Sequence, residues 1–232
     1  MAKQGKKYTK AVGSHNRDLI SSPQEGFAKI KDLAYADFDE SVDVDVNLGI
    51  DPSKGDQVVR GAVVLPHGRG KAVRVIVFAK GDHAAEATEA GADHVGAEDL
   101  VQKISGGWMD FDFAVATPDL MGMVGQLAKL LGPRGLLPNK KVGTVTFKVG
   151  DVVKELKQGK LFFKNDKSGI VHFSIGKVSF DAQQLVDNYH AFMKALVASK
   201  PATSKGKFIK NVTVSSTMGV GVRLNPDEAV KL

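Results

Sequence analysis

A chain of 232 residues with 43% hydrophobic residues suits one or two folded domains and can fill a sizeable core. It has no cysteine, which excludes disulfides, thiolate metal sites and cysteine nucleophiles, and no apolar run long enough to cross a bilayer. The formal net charge of +6 points mildly to an anionic partner, and the surplus lies in residues 160–232, which hold 11 Lys+Arg against 5 Asp+Glu.

In chain order, the opening MAKQGKKYTK is basic. No apolar stretch follows it, as a secretory signal would require, so a cytoplasmic protein is expected. Residues 41–48 alternate strictly and predict a strand with one buried and one wet face; residues 57–65 predict another. From residue 71 the rhythm changes. Strands are expected over 71–79, 93–95, 111–116 and 143–147, and helices over 82–90, 97–104 and 119–131, the last entered through Pro118. Alternating strands and helices imply a parallel sheet wrapped by helices. Beyond residue 160 the pattern is antiparallel. Strands are expected over 170–175, 207–214 and 220–224, with a helix from Asp181 to about Ala198 that turns Leu185, Tyr189, Phe192, Leu196 and Val197 to one face.

The simplest architecture combines α/β and α+β parts in two domains. A discontinuous α+β outer domain, residues 1–67 and 160–232, carries an inserted three-layer Rossmann-like α/β domain, residues 68–159. The crossings are rich in glycine, and Pro66, Gly68, Gly70 and Gly159 are candidate hinge residues. One rigid mixed domain is the alternative.

Enzymatic signals are weak. The stretch His67-Gly-Arg-Gly-Lys71 precedes a strand rather than a helix, unlike a phosphate loop. The turn after the first inner strand has one glycine where a dinucleotide site wants three. Asp43 and Asp45 share a strand face with no histidine partner close in sequence, so a solvated face is expected. The six histidines show no metal-ligand spacing, and His172 is expected to make a single polar contact on a strand. No metal and no cofactor is expected. A nucleotide-dependent two-domain enzyme is the alternative to a binding protein, and a nucleic-acid chaperone held by charge alone is a third.

Three segments suggest RNA. Residues 131–141 form a dense loop carrying Arg134, Lys140 and Lys141, either a turn ending a helix or a phosphate-contacting loop. Residues 160–169 place two aromatics before a turn with Lys164, Lys167 and Ser168. Basic residues beside small hydroxyls suit phosphate and 2′-OH contacts, and a solvated hairpin turn is the plain alternative. Ser215-Ser-Thr-Met-Gly219 interrupts a strand pattern without charge or apolar bulk. It is a bulge or turn, or a surface lying close against a partner.

These stretches, with Phe38-Asp-Glu-Ser-Val42, Gly49-Ile-Asp-Pro52, Asp56-Gln-Val-Val-Arg-Gly61, Leu65-Pro-His-Gly68, Gly132-Pro-Arg-Gly-Leu-Leu-Pro-Asn139, Asp166-Lys-Ser-Gly-Ile-Val-His172, Ile175-Gly-Lys177 and Ser216-Thr-Met-Gly219, resemble the bacterial ribosomal L-one family in order and over nearly the whole chain. The resemblance implies the split two-domain architecture and a main site for large-subunit ribosomal RNA on the outer domain. Carried over, that site falls on Phe38, Ser41, Lys167, Ser168, Thr217, Met218 and Gly219, and Lys164, His172 and Ser216 beside them complete the candidate RNA-binding set. The inner loop with Arg134, Lys140 and Lys141 is a secondary contact. The chain departs from the family at Val220, where proline is common, and at Ser41, where threonine is; without proline the terminal loop is expected to be less rigid. The implied role is non-enzymatic: a mobile stalk that helps deacylated exit-site tRNA leave, and a repressor of its own mRNA through the leader. The implied partners are ribosomal RNA, tRNA and that leader, with no membrane, and the free protein is expected to be a monomer.

Overall fold

The computed structural model describes residues 5–16 and 18–228, the side chain of Lys141 excepted. The elements in chain order are α1 (Lys6–Gly13), β1 (Ile20–Ser21), α2 (Pro23–Leu33), β2 (Ser41–Leu48), β3 (Arg60–Val64), β4 (Val75–Phe78), α3 (Asp82–Glu89), β5 (His94–Gly96), α4 (Glu98–Ser105), β6 (Phe113–Ala116), α5 (Met121–Val124), α6 (Ala128–Leu131), α7 (Val149–Lys157), β7 (Lys160–Lys164), β8 (Ile170–Lys177), α8 (Ala182–Ala198), β9 (Ile209–Ser216) and β10 (Val222–Leu224). The class is mixed α/β, with three sheets ordered β1-β10-β9-β2-β8, β3-β7 and β5-β4-β6. Contacts group the chain into two compact units, residues 1–70 with 161–232, and residues 71–160.

In the first unit, β2 lies inside the sheet between β9 and β8, and its period-2 pattern buries every second residue. Val42, Val44, Val46 and Leu48 are inside, while Ser41, Asp43, Asp45 and Asn47 are half-buried on the other face. The inner face meets α2 and α8. The Ser22 hydroxyl caps α2 by accepting from Glu25 N–H at 3.4 Å, with Pro23 in its first turn. The Gln184 side chain caps α8 by accepting from Asp181 N–H at 3.1 Å. Leu185, Tyr189, Phe192 and Leu196 are buried as their spacing predicts, but Val197 is only half-buried. Aromatic contacts join the layers: Phe27 meets Tyr189 edge-on at 5.6 Å, and Phe173 stacks on Phe192 at 4.3 Å.

In the second unit, β4 runs parallel to both β5 and β6. Ile76, Phe78, Ala114 and Ala116 pack with Leu100 and Ile104 of α4 and with Leu120, Val124, Leu127 and Leu131. Val75, Val77 and Val115, at the alternate positions, are fully buried, and α3 and α7 lie against this sheet.

Two expected elements differ. Residues 143–147 are not a strand: only Val145 bridges, parallel to Ala116. The buried Thr144 instead folds the chain onto Asn139, its hydroxyl accepting from Asn139 N–H at 2.8 Å, and α7 begins at Val149, so no length remains for a ladder. Residues 119–131 are helical, but as α5 and α6 alternating with 3-10 turns rather than one helix. Gly122 and Gly125 weaken this stretch as continuous α-helix. Val220 is buried, so apolar packing holds the terminal loop where proline would have stiffened it.

Candidate nucleic-acid interface

The outward face of the five-stranded sheet is polar by register. Arg223, Thr213, Asp45 and His172 form one row across β10, β9, β2 and β8. Ser215, Asp43 and Ser174 form the next row, and Asn211, Asn47 and Ile170 another. From Ser41 to Leu48 this strip is roughly 23 Å long at the usual strand rise. Apart from Arg223, His172 and Ile170 its side chains are short, so a partner can approach the middle of the strip closely.

At the Ser41 end, β9 continues past β10 and then bends through Thr217, Met218 and Gly219. The bend is tied to β2 on both sides of Ser41. Thr217 N–H donates to Ser41 O at 3.0 Å, and the Thr217 hydroxyl accepts from Ser41 N–H at 2.9 Å. Glu40 fixes the rest. It is 1% exposed, and its carboxylate accepts from Met218 N–H at 2.9 Å, Ala36 N–H at 2.9 Å and Tyr35 N–H at 3.3 Å. Burial alone would push this carboxyl up. The adjacent Ser216 hydroxyl, at a geometry short of a formed hydrogen bond, and the three backbone donors outweigh it and leave the group below its ordinary value. Tyr35 OH donates to Met218 O at 2.6 Å. A Cβ on Gly219 would collide with Ser216 Oγ, which would have to turn away from its place beside Glu40. The outcome is two rigid loops that hold Phe38, 56% exposed, and Met218, 49% exposed, in water. Phe38 is therefore not a core residue.

At the Leu48 end, Lys167 and Ser168 sit on an Asx turn. Asp166 Oδ1 accepts from Ser168 N–H and Ile170 N–H, both at 2.8 Å, and these backbone bonds, with Ile170 first, hold the carboxyl below its ordinary value. Gly169 O accepts from Leu48 N–H at 3.0 Å, docking the turn on β2. His172 bridges this turn to the strip: Nδ1 is 2.6 Å from Asp45 Oδ1, and Nε2 is 3.6 Å from Asp166 Oδ2. The hydrogen bond to Asp45 chiefly raises the His172 pKa, against burial. One expectation is corrected here and another completed. Asp45 does have a histidine partner, 127 residues away across the sheet, and His172 makes two polar contacts rather than one. Asp43, pushed up chiefly by burial and further by Asp45, is opposed by the Ser174 hydroxyl.

The residues predicted from sequence thus fall at two ends of one face. Phe38, Ser41, Ser216, Thr217, Met218 and Gly219 gather at one end, Lys167 and Ser168 at the other, and His172 between them. Ser216 is buried beside Glu40, and Lys164 is exposed at the end of β7. Arg134 and Lys140 are exposed on the second unit, and the Lys141 side chain lies outside the described residues. Gly68, Gly70 and Gly159 all have positive φ. Pro66 lies in a turn that Asn188 pins: its side chain accepts from His67 N–H at 3.1 Å and donates to Gly68 O at 2.9 Å. Sequence reasoning missed Glu40, Tyr35, Asp166 and Lys177, whose ammonium reaches Ser41 Oγ at 3.0 Å. All but Tyr35 stand inside the quoted motifs, yet only tertiary pairing gives them a role.

The class defined here is a mixed α/β protein that offers an extended polar face. Among the described residues no group of His, Asp and Glu is placed to hold a metal ion. The model of the ribosomal protein L1p/L10e family matches residues 30–220, most of the chain, and the protein belongs to that family. Membership makes it an RNA-binding structural protein of the large ribosomal subunit, in the cytoplasm. No helix among the described residues is long and apolar enough to cross a membrane.

Proposed function

We propose that the outward sheet face, from Phe38 and the Thr217–Gly219 bend to the Lys167 turn, is the surface that holds large-subunit ribosomal RNA. The observation that carries this is the bend itself: an uncharged, rigidly braced loop beside two exposed apolar side chains, Phe38 and Met218. Small hydroxyls and backbone suit shape and 2′-OH readout, and Phe38 and Met218 suit packing on ribose or base faces. Lys164, Lys167 and Lys177 supply salt-dependent attraction. Arg134, Lys140 and Lys141 are a secondary contact. The two compact units act as domains, and the segments around Pro66, Gly68, Gly70 and Gly159 serve as the hinge of a mobile stalk that aids release of deacylated exit-site tRNA. Free of the ribosome, the protein is a monomer that binds the leader of its own mRNA and represses translation.

The test of the interface is affinity of a folded stalk RNA fragment for the parent and for Met218→Ala and Phe38→Ala, whose exposed side chains contribute little to stability. Each variant should bind several-fold more weakly at unchanged melting temperature; parental affinity in both would remove the interface. Repression is tested in a translation reaction programmed with the protein's own mRNA. Added protein should lower synthesis of that product alone, and the stalk fragment should relieve it; equal yields with and without protein would remove the repressor role.

A further inference from the structure

The polar strip ends at Leu48, but positive charge continues past it. Lys54, Lys205, Lys207 and Lys210 line a concavity of about 570 Å³ at that end of the sheet, with Gln57 and Thr203. They come from two segments of the chain, Lys54 from one and the other three from residues 205–210, and the fold brings them together. The register between β2 and β9 passes from Asn47↔Asn211 to Leu48↔Ile209, so Lys210 is a bulge residue with no cross-strand partner. A bulge re-aims its side chain, and Lys210 passes over Gly49, where an added Cβ would lie 3.6 Å from its Cε. That same Cβ would collide with the Lys207 carbonyl, so only glycine lets the two loops close.

The charge there is not self-neutralised. Lys54 lies 3.7 Å from Asp51 and Lys207 lies 3.0 Å from Asp227. Lys205 and Lys210 have no ion-pair partner among the described residues. Four lysines against two carboxylates leave two positive charges facing one hollow. The hollow adjoins the Lys167 turn: an added Cβ on Gly169 would lie 3.4 Å from Ile50, which lines the concavity. The strip itself carries Asp43 and Asp45 against Arg223, so most of its electrostatic attraction has to come from its ends.

We propose that the Lys54–Lys205–Lys207–Lys210 concavity binds the phosphodiester backbone of the same RNA, one segment beyond the sheet face. This rests on the assignment of that face to RNA and extends its footprint. The test is Lys205→Ala/Lys210→Ala, two exposed positions with no packing role, titrated with folded stalk RNA over a series of salt concentrations. The plot of log affinity against log salt should be shallower by about two, with several-fold weaker binding at low salt. Met218→Ala, run in parallel, should weaken binding at every salt without changing the slope. Parental slope and affinity in the lysine variant, with Met218→Ala weakened, would overturn the concavity alone. Parental behaviour in both would overturn the underlying assignment. Inorganic tripolyphosphate separates the source of phosphate. If it raises the melting temperature of the parent but not of the lysine variant, while their RNA slopes agree, the hollow takes a small polyanion and the proposal falls.

Discussion

Glu40 is the residue on which one end of the site depends. Three backbone donors from two loops converge on a carboxylate with almost no exposure. Glu40→Gln would turn an amide NH₂ on one of those N–H groups. It should cost about 1.5–3 kcal/mol of stability, read by chemical denaturation, because hydrogen bonds to a buried charge are lost. RNA binding should weaken with it. The native pKa is depressed, so this stabilisation is complete above the ordinary value of 4.5 and disappears as pH falls through the lower native value. His172 has the opposite sign. Its pKa is raised, so its contribution is complete below the ordinary value of 6.5 and fades as pH rises through the higher native value. Protonated, it neutralises Asp45 and Asp166 on the face proposed for RNA. Affinity should therefore fall above that native value in the parent, and the step should be absent in His172→Gln. A pH-independent parent would remove His172 from the interface. Little of this was legible locally. Glu40 takes its donors from residues 35, 36 and 218, and His172 meets Asp45 only through the β2–β8 register.

Among the elements, those whose pattern is fixed by a single buried face were legible. Strand β2 matches its alternation residue for residue, and α8 begins at Ala182, one residue after the expected Asp181, which caps it. The strand expected over 143–147 was lost to a side-chain turn at Thr144, a competition that alternation does not reveal. Helix α2 went unread although Ser22-Pro-Gln-Glu25 carries a start signal: a capping hydroxyl, proline in the first turn and glutamate at the third helical position. Ser22→Ala should cost about 1 kcal/mol. Phe192→Ala should cost more, about 3–5 kcal/mol, because it vacates the stack on Phe173 and the edge contact with Phe163. Thermal and denaturant melts check both. A larger loss for Ser22→Ala than for Phe192→Ala would contradict the packing described.

On the scale of the whole molecule, the alternating middle and the antiparallel flanks gave the mixed class, and the family match supports a ribosomal role. If the two compact units are domains, replacing residues 71–160 by a short flexible linker should leave a cooperatively folding protein that still binds stalk RNA. Loss of folding would favour one indivisible domain. The central claim is that the Ser41–Thr217 end of the sheet lies against ribosomal RNA, and Thr217 is its most direct probe. Its hydroxyl bonds Ser41 at an exposed edge, so Thr217→Ala should lower stability by no more than about 1 kcal/mol. At one fixed salt concentration, affinity of this variant for a folded stalk RNA fragment should be roughly 5- to 150-fold weaker than the parent's, as for a polar contact left unpaired in an interface. Equal affinity of parent and variant for that fragment would contradict the account.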